Sequence, residues 1–166
     1  MSTLSLSPRT TASHRVFSFG SNEFGQLGLG HTKSVTRPSC VKALKSELCS
    51  AVGCGKSHTV IGTEDGKLFA FGLNQDGQLG LGHTEMTFDQ VTQWNGGTAE
   101  QIDAGVAHTV VLTDHGQLFA WGSNEDGQCG LGDAPGACLP TPVPSDEEIV
   151  SLSCGYRHTA FVTGYR

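Results

Sequence analysis

Long apolar runs are missing from this chain of 166 residues, as are the spacings typical of a metal site. The most apolar stretches last only a few residues, so no transmembrane helix can be drawn. The six cysteines form no Cys-x-x-Cys pair and fit no zinc template. We therefore expect reduced thiols packed as small apolar side chains, with no metal, no cofactor and no membrane insertion.

A secretory signal is also missing at the start of the chain. Residues 1–13 contain seven Ser or Thr and one Arg, without an apolar stretch. This composition predicts a short disordered tail. We expect an intracellular protein.

Positive charge is absent from most of the sequence. No Lys or Arg occurs between Leu68 and Tyr156, a range that contains twelve Asp or Glu, and the net charge of the chain is −6. Such an acidic surface repels phosphate backbones, so we expect no direct nucleic-acid binding. A basic surface on a protein partner would be attracted to it.

The sequence repeats itself about every fifty residues. An aromatic-x-aromatic-Gly motif, followed by an Asn and a Gly-Gln-x-Gly-Leu-Gly run, occurs three times, and its first glycines are Gly20, Gly72 and Gly122. A second motif, Gly-x-x-His-Thr, contains His58, His108 and His158, each fifty residues from the next. Three matches without gaps indicate a repeat protein.

Each repeat consists of short β-branched and apolar runs, and no stretch has helical spacing. Sheets repeated at this period predict an all-β fold, a β-propeller of four-stranded antiparallel blades. We name the strands of a blade A to D: A precedes the Gly-x-x-His turn, B begins at the His, C holds the aromatic-Gly motif, and D follows the glycine-rich loop. The hairpins between B and C are expected at Glu64–Gly66 and Asp114–Gly116.

The strand order predicts an incomplete arc, with two full blades and a half blade at each end. We expect it over residues 14–166, with repeats at about 16–67, 68–117 and 118–166. Propellers close with about four to eight blades, so this arc would leave open sheet edges. Self-association through those edges is expected.

The two motifs together resemble the regulator of chromosome condensation repeat, over about residues 16–163. The stretches 37–45, 77–85 and 153–163 are similar to the GTPase-regulator members of that family. The resemblance implies a seven-bladed propeller that acts as a rigid protein-binding disc. It also implies guanine-nucleotide exchange on small GTPases, or scaffolding at cilia and on trafficking routes. The constant spacing leaves no room for the wedge-like insertion of the exchange-active member, and we assign no catalytic residue.

Residues repeated in every blade are expected to be structural. We expect His58, His108 and His158 to hydrogen-bond nearby backbone groups, and the motif glycines to permit positive φ or close strand approach. The asparagines of the repeat are expected in left-handed turns, bonded to their own backbone. The motif aromatics should pack blade against blade. Residues 55–57, Gly-Lys-Ser, lack the helix of a phosphate-binding loop.

Residues that differ between the repeats are the candidates for binding. Strand polarity places the turns between A and B on the same side of the disc as the loops between C and D. Tyr and Arg are frequent interface anchors, so Tyr156 and Arg157 come first. The other candidates are Phe24, Lys56, Asp76 and Asp126.

The sequence is therefore compatible with three functions. The first is a non-enzymatic scaffold that binds a small GTPase or ciliary and trafficking partners, in the cytoplasm, cilium or basal body rather than the nucleus. The second is a guanine-nucleotide exchange factor. The third is a truncated product without independent activity.

Overall fold

The computed structural model describes residues 14–164. The predicted tail, residues 1–13, therefore lies outside the described residues. The strands are β1 (Phe17–Gly20), β2 (Val35–Cys40), β3 (Cys49–Cys54), β4 (His58–Thr63), β5 (Leu68–Gly72), β6 (Thr87–Gln90), β7 (Ala99–Ala104), β8 (His108–Thr113), β9 (Leu118–Ser123), β10 (Gly136–Val143), β11 (Ile149–Cys154) and β12 (Thr159–Thr163). One turn of 3-10 helix spans Lys42–Leu44. Residues 14–164 contain no helix with the length and hydropathy of a membrane-spanning segment.

These strands form four antiparallel sheets, which we call blades 1 to 4. Blade 1 is β1-β2, blade 2 is β3-β4-β5-β6, blade 3 is β7-β8-β9-β10, and blade 4 is β11-β12. The all-β prediction of two full blades between two half blades is confirmed. The described sheets form an open arc, in which β1 and β12 each have one edge without a strand partner among residues 14–164.

The hairpins between strands B and C have the predicted glycines. Gly66 and Gly116 adopt φ of +80° and +72°, a region that side-chain-bearing residues rarely occupy. Their amides donate to the carbonyls of Thr63 and Thr113, at 3.1 and 3.0 Å. These turns set the register in which His58 pairs with Gly72 across β4 and β5.

The apolar core is divided among the junctions between blades. Strand β3 packs against β7, and β7 packs against β11. Val60, Leu68, Val111, Phe119 and Trp121 form the cluster between blades 2 and 3. Smaller clusters join blade 1 to blade 2 and blade 3 to blade 4. Stability therefore depends on contacts between neighbouring repeats, as in other repeat proteins.

The prediction that the motif aromatics pack between blades is correct for the full blades and wrong for β1. Phe71 and Trp121 are almost fully buried, in the clusters that join blade 1 to blade 2 and blade 2 to blade 3. Phe17 and Phe19, in contrast, are 52% and 62% exposed. The reason is that no described residues cover their side of β1.

Candidate interaction face

The turns between strands A and B lie beside the loops between strands C and D. The amide of Leu73, which begins a C–D loop, donates to the carbonyl of Ser57 at 2.8 Å, and Ser123 donates to Ala107 at the same distance. The prediction that both sets of segments lie on one side of the arc is confirmed. We call this side the loop face; it consists of the A–B turns 55–57, 105–107 and 155–157 and the C–D loops 21–34, 73–86 and 124–135.

Backbone hydrogen bonds connect the A–B turns to one another. The amide of Lys56 donates to the carbonyl of Gly105 at 3.1 Å, and the amide of Val106 donates to Tyr156 at 2.9 Å. The turns of blades 2, 3 and 4 therefore form a continuous row. Side chains on this row are held at fixed positions relative to each other.

The repeated histidines bond to the next blade. His58 Nε2 lies 2.9 Å from Thr109 Oγ1, and Thr109 Oγ1 donates to the carbonyl of Gln78 at 2.7 Å. Because the threonine hydroxyl donates its one proton to the carbonyl of Gln78, it can only accept from the histidine, which must therefore donate through Nε2. The expectation of a backbone partner is wrong, because the histidine bonds to a threonine side chain in the neighbouring blade.

The same arrangement recurs one blade further along. His108 Nε2 lies 3.1 Å from Thr159 Oγ1, which donates to the carbonyl of Gln128 at 2.7 Å. His158 is exposed, because the described residues contain no further threonine of this kind to receive it. The Gly-x-x-His-Thr motif therefore connects blade 2 to blade 3 and blade 3 to blade 4.

Burial changes the acid–base behaviour of two of these rings. Burial and, to a smaller extent, proximity to His108 lower the pKa of His58 to about 4. The pKa of His108 is also lowered, mainly by burial. Both Nδ1 atoms are buried and have no hydrogen-bond partner among the described residues. Two neutral imidazoles bonded in this way stabilise a junction; neither is exposed as a base.

The glycines of both motifs permit close approaches. A methyl group on Gly105 would lie 2.2 Å from Cε1 of the His108 ring, so the glycine of Gly-x-x-His provides the space for the imidazole. A methyl group on Gly122 would lie 2.3 Å from the carbonyl oxygen of Ala107. Gly72 has the same relation to Ser57, whereas nothing lies within 4 Å of a methyl group on Gly20.

The repeated asparagines hold the C–D loops closed. Asn74 Nδ2 donates to the carbonyls of His83 and Glu85, both at 2.8 Å, and its Oδ1 accepts from the amide of Leu79 at 3.0 Å. Asn22 and Asn124 make the corresponding bonds in their own loops: Asn22 to His31, Lys33 and Leu27, and Asn124 to Gly132, Ala134 and Cys129. The expectation of left-handed turns is wrong, since every described residue with positive φ is a glycine.

Two of the candidate residues come together on the row of turns. The Lys56 Nζ atom lies 6.0 Å from the centroid of the Tyr156 ring, within the range of a cation–π contact. Tyr156 is 61% exposed, and Lys56 is exposed. Although a hundred residues separate them, the turns of blades 2 and 4 bring them to one place.

Arg157 is engaged within the chain. Its guanidinium pairs with Glu125 at 3.2 Å and with Asp126 at 2.5 Å, both in the C–D loop of blade 3. Two candidates, Arg157 and Asp126, are therefore brought together as an ion pair between blades 3 and 4. Glu125 was not among the candidates; its position directly before Asp126 is the only sequence signal for it.

The last two candidates lie apart from these pairs. Asp76 is exposed on the C–D loop of blade 2, and the repeat has Ala107 at the position that corresponds to Arg157. Phe24 is partly buried and lines a cavity together with Met86 and Phe88. Met86 and this cavity were not predicted, because they depend on contacts between loops of different repeats.

Among the residues described by the structure, no three His, Cys, Asp or Glu side chains are grouped to hold a metal ion. The six cysteines are free thiols. Burial raises the pKa of Cys129 and of Cys154 to about 12. Cys54, however, is exposed, so the expectation that every thiol is packed inside is wrong at this position.

Comparison with known families explains this repeated architecture. The Regulator of chromosome condensation (RCC1) repeat matches three segments of the sequence, residues 13–61, 65–112 and 115–162. The chain belongs to the RCC1 repeat family. The prediction made from its two motifs is therefore confirmed.

Several RCC1 relatives match roughly half of the chain. X-linked retinitis pigmentosa GTPase regulator from Canis lupus familiaris is 52% identical over 75 residues, which is 45% of this chain and 8% of that protein. Secretion-regulating guanine nucleotide exchange factor from Mus musculus is 46% identical over 85 residues, 48% of this chain and 17% of that protein. The matched region thus spans less than a fifth of these relatives.

Solved RCC1 propellers have the same fold. Prp20p from Saccharomyces cerevisiae, whose structure was described together with its binding to Gsp1p and histones, superposes with a TM-score of 0.77 at 20% identity. The superposition covers 91% of this chain and 40% of Prp20p. Human WBSCR16 superposes with a TM-score of 0.76 at 24% identity, covering 89% of this chain and 40% of its own. These similarities establish the fold.

Proposed function

We propose that this chain is a protein-interaction scaffold of the GTPase-regulator type, which binds a small GTPase or a ciliary or trafficking partner through its loop face. The observation that supports this best is the Lys56–Tyr156 pair on the hydrogen-bonded row of turns. A scaffold of this kind would act in the cytoplasm or at the cilium.

The pair has the properties of an interface anchor. Tyrosine provides a large, partly apolar surface at a low cost in conformational entropy, and it is enriched at binding hot spots. The row of backbone hydrogen bonds fixes the turn before a partner arrives. Preorganisation of this kind reduces the entropic cost of association.

The similarity to a protein named X-linked retinitis pigmentosa GTPase regulator supports a GTPase-related partner.

The test of this proposal is binding of the purified chain to a panel of purified small GTPases, each loaded with GDP or with a GTP analogue, by biolayer interferometry. We expect at least one to bind, and Tyr156→Ala to weaken binding about tenfold. His115→Ala is the matched control, because His115 lies in a B–C hairpin at the opposite end of the strands. Equal weakening by both variants would overturn the assignment to the loop face, and no binding across the panel would overturn a small GTPase as the partner.

A guanine-nucleotide exchange factor is the second candidate. It is favoured by the 46% identity to a protein named secretion-regulating guanine nucleotide exchange factor. Release of a fluorescent GDP analogue from each GTPase of the panel separates the two functions. Accelerated release that is lost in Tyr156→Ala would identify an exchange factor, whereas binding without acceleration would identify a scaffold.

A further inference from the structure

A cavity of about 380 Å³ opens on the loop face between blades 1 and 2. One wall is the C–D loop of blade 1, with Phe24, Gly30 and His31. The other is Met86, at the end of the C–D loop of blade 2, and Phe88 in β6. We call this cavity the first-junction groove. Its walls are mostly apolar, and Met86 is 56% exposed there.

The corresponding place between blades 2 and 3 is filled by the chain itself. There, strand β10 lies over the C–D loop of blade 2, and the amide of Gly82 donates to the carbonyl of Cys138 at 2.8 Å. A methyl group on Gly77 would lie 2.7 Å from Cys138 Sγ, and one on Gly82 would lie 3.2 Å from Leu139 Cδ2. A Cys-Leu segment therefore covers this loop.

The difference arises from two extra residues in β10. In blade 2, Phe88 alone stands between the residues that pair with Gly72 and Ala70. In blade 3, three residues stand between those that pair with Gly122 and Ala120, namely Cys138, Leu139 and Pro140. This bulge brings β10 over the loop, and β6 has no equivalent.

The C–D loop of blade 1 consequently exposes the surface that β10 covers on the C–D loop of blade 2. Gly25 and Gly30 are the counterparts of Gly77 and Gly82, yet nothing lies within 4 Å of a methyl group built on either. The amide of Gly30 has no hydrogen-bond partner among residues 14–164. At the position of Asp76 and Asp126, this loop has Phe24, which makes the wall more apolar.

We propose that the first-junction groove binds a short extended segment of a partner protein, in which a small side chain precedes leucine or a residue of similar shape. The carbonyl of the small residue would accept a hydrogen bond from the Gly30 amide, as Cys138 does from Gly82. Glu23, exposed at the rim, favours a Lys or Arg next to this pair. The inference deepens the proposed function, because it assigns a second contact on the loop face and the chemistry of its partner.

The chain provides its own probe for this groove, a capped synthetic peptide with the sequence of residues 135–144. The sequence contains two methionines, Met1 and Met86, so carbon-13 labelling of the methionine methyl groups gives two signals. We expect peptide titration to shift the Met86 signal saturably and to leave Met1 unchanged. An unmoved Met86 signal at millimolar peptide would overturn the inference.

Two variants and one peptide control sharpen this test. Phe24→Asp introduces the residue that the other two loops have at this position, and we expect it to weaken binding about five- to tenfold. Gln75→Ala, at the covered junction, should leave binding unchanged. A peptide with aspartate in place of leucine should not shift Met86. Unweakened binding to Phe24→Asp, or equal binding of the aspartate peptide, would contradict the inference.

The outcome separates this inference from the proposed function and from self-association. The peptide titration needs no GTPase, so a failed GTPase panel leaves it intact, and a failed titration leaves the Tyr156 result intact. If the Met86 signal shifts on dilution of the protein alone, the groove is occupied by a second copy of the chain. That result would overturn the proposal of a foreign partner segment.

Discussion

Acidification from pH 7 to pH 5 is expected to weaken the junction between blades 2 and 3 through one side chain, His58. The ring is neutral in the folded chain, where burial lowers its pKa to about 4 from an ordinary value of 6.5. In the unfolded chain it takes up a proton below that ordinary value. Stability is therefore lost as the pH falls through the window between the two values.

The size of the effect follows from the difference between the two pKa values. Over this pH range, His58 should remove about 2 kcal/mol from the free energy of unfolding. His108, which faces His58 and also has a lowered pKa, adds to the loss in the same direction. His58→Gln isolates one contribution, since an amide can still donate to Thr109 but does not titrate.

The assay is urea unfolding of both proteins at pH 7 and pH 5. We expect the wild-type chain to lose about 2 kcal/mol more than His58→Gln between the two pH values. His115→Gln, at a ring whose side chain is 74% exposed, is the control and should behave as wild type. Equal losses in the wild type and in His58→Gln would refute the assignment of a buried neutral ring.

Three further predictions concern the repeat motifs. Gly105→Ala should lower the free energy of unfolding by about 1–3 kcal/mol in urea melts, because its methyl group would overlap the His108 ring; an unchanged midpoint would contradict this packing. Asn74→Ala should cost about 2–4 kcal/mol in the same assay, since it removes three hydrogen bonds of a fully buried side chain; a loss under about 1 kcal/mol would show that water replaces them. Iodoacetamide at pH 8 should modify exposed Cys54 first and leave Cys129 intact by mass spectrometry, because burial raises the pKa of Cys129; equal labelling of both would refute its burial.

The strands and their order could be predicted because their signals are local. Alternating apolar residues, the hairpin glycines Gly66 and Gly116, and two motifs at a constant spacing determine each blade within about fifty residues. The partner of His58 could not be predicted in this way. It lies fifty-one residues away in the next blade, so identifying it requires the packing of one sheet on another.

For the candidate site, only the side of the arc on which it lies could be predicted from the sequence. Strand polarity alone places the turns and loops on one side of the arc, but it does not determine whether the side chains of two turns come into contact. Lys56 and Tyr156 meet, and Arg157 pairs within the chain. The first-junction groove depends on a two-residue difference between β6 and β10, which becomes visible only when the strand registers are compared.

The bonds of the His-Thr motif have a consequence for synthesis on the ribosome. The hydroxyl of Thr109 donates to the carbonyl of Gln78, which is synthesised before it. The ring of His58 can form its hydrogen bond only after Thr109 has been synthesised. Each new repeat therefore supplies the acceptor that the preceding histidine requires. Until about fifty further residues have emerged, the newest histidine has no acceptor, so the growing chain carries one unfinished junction that moves along with translation.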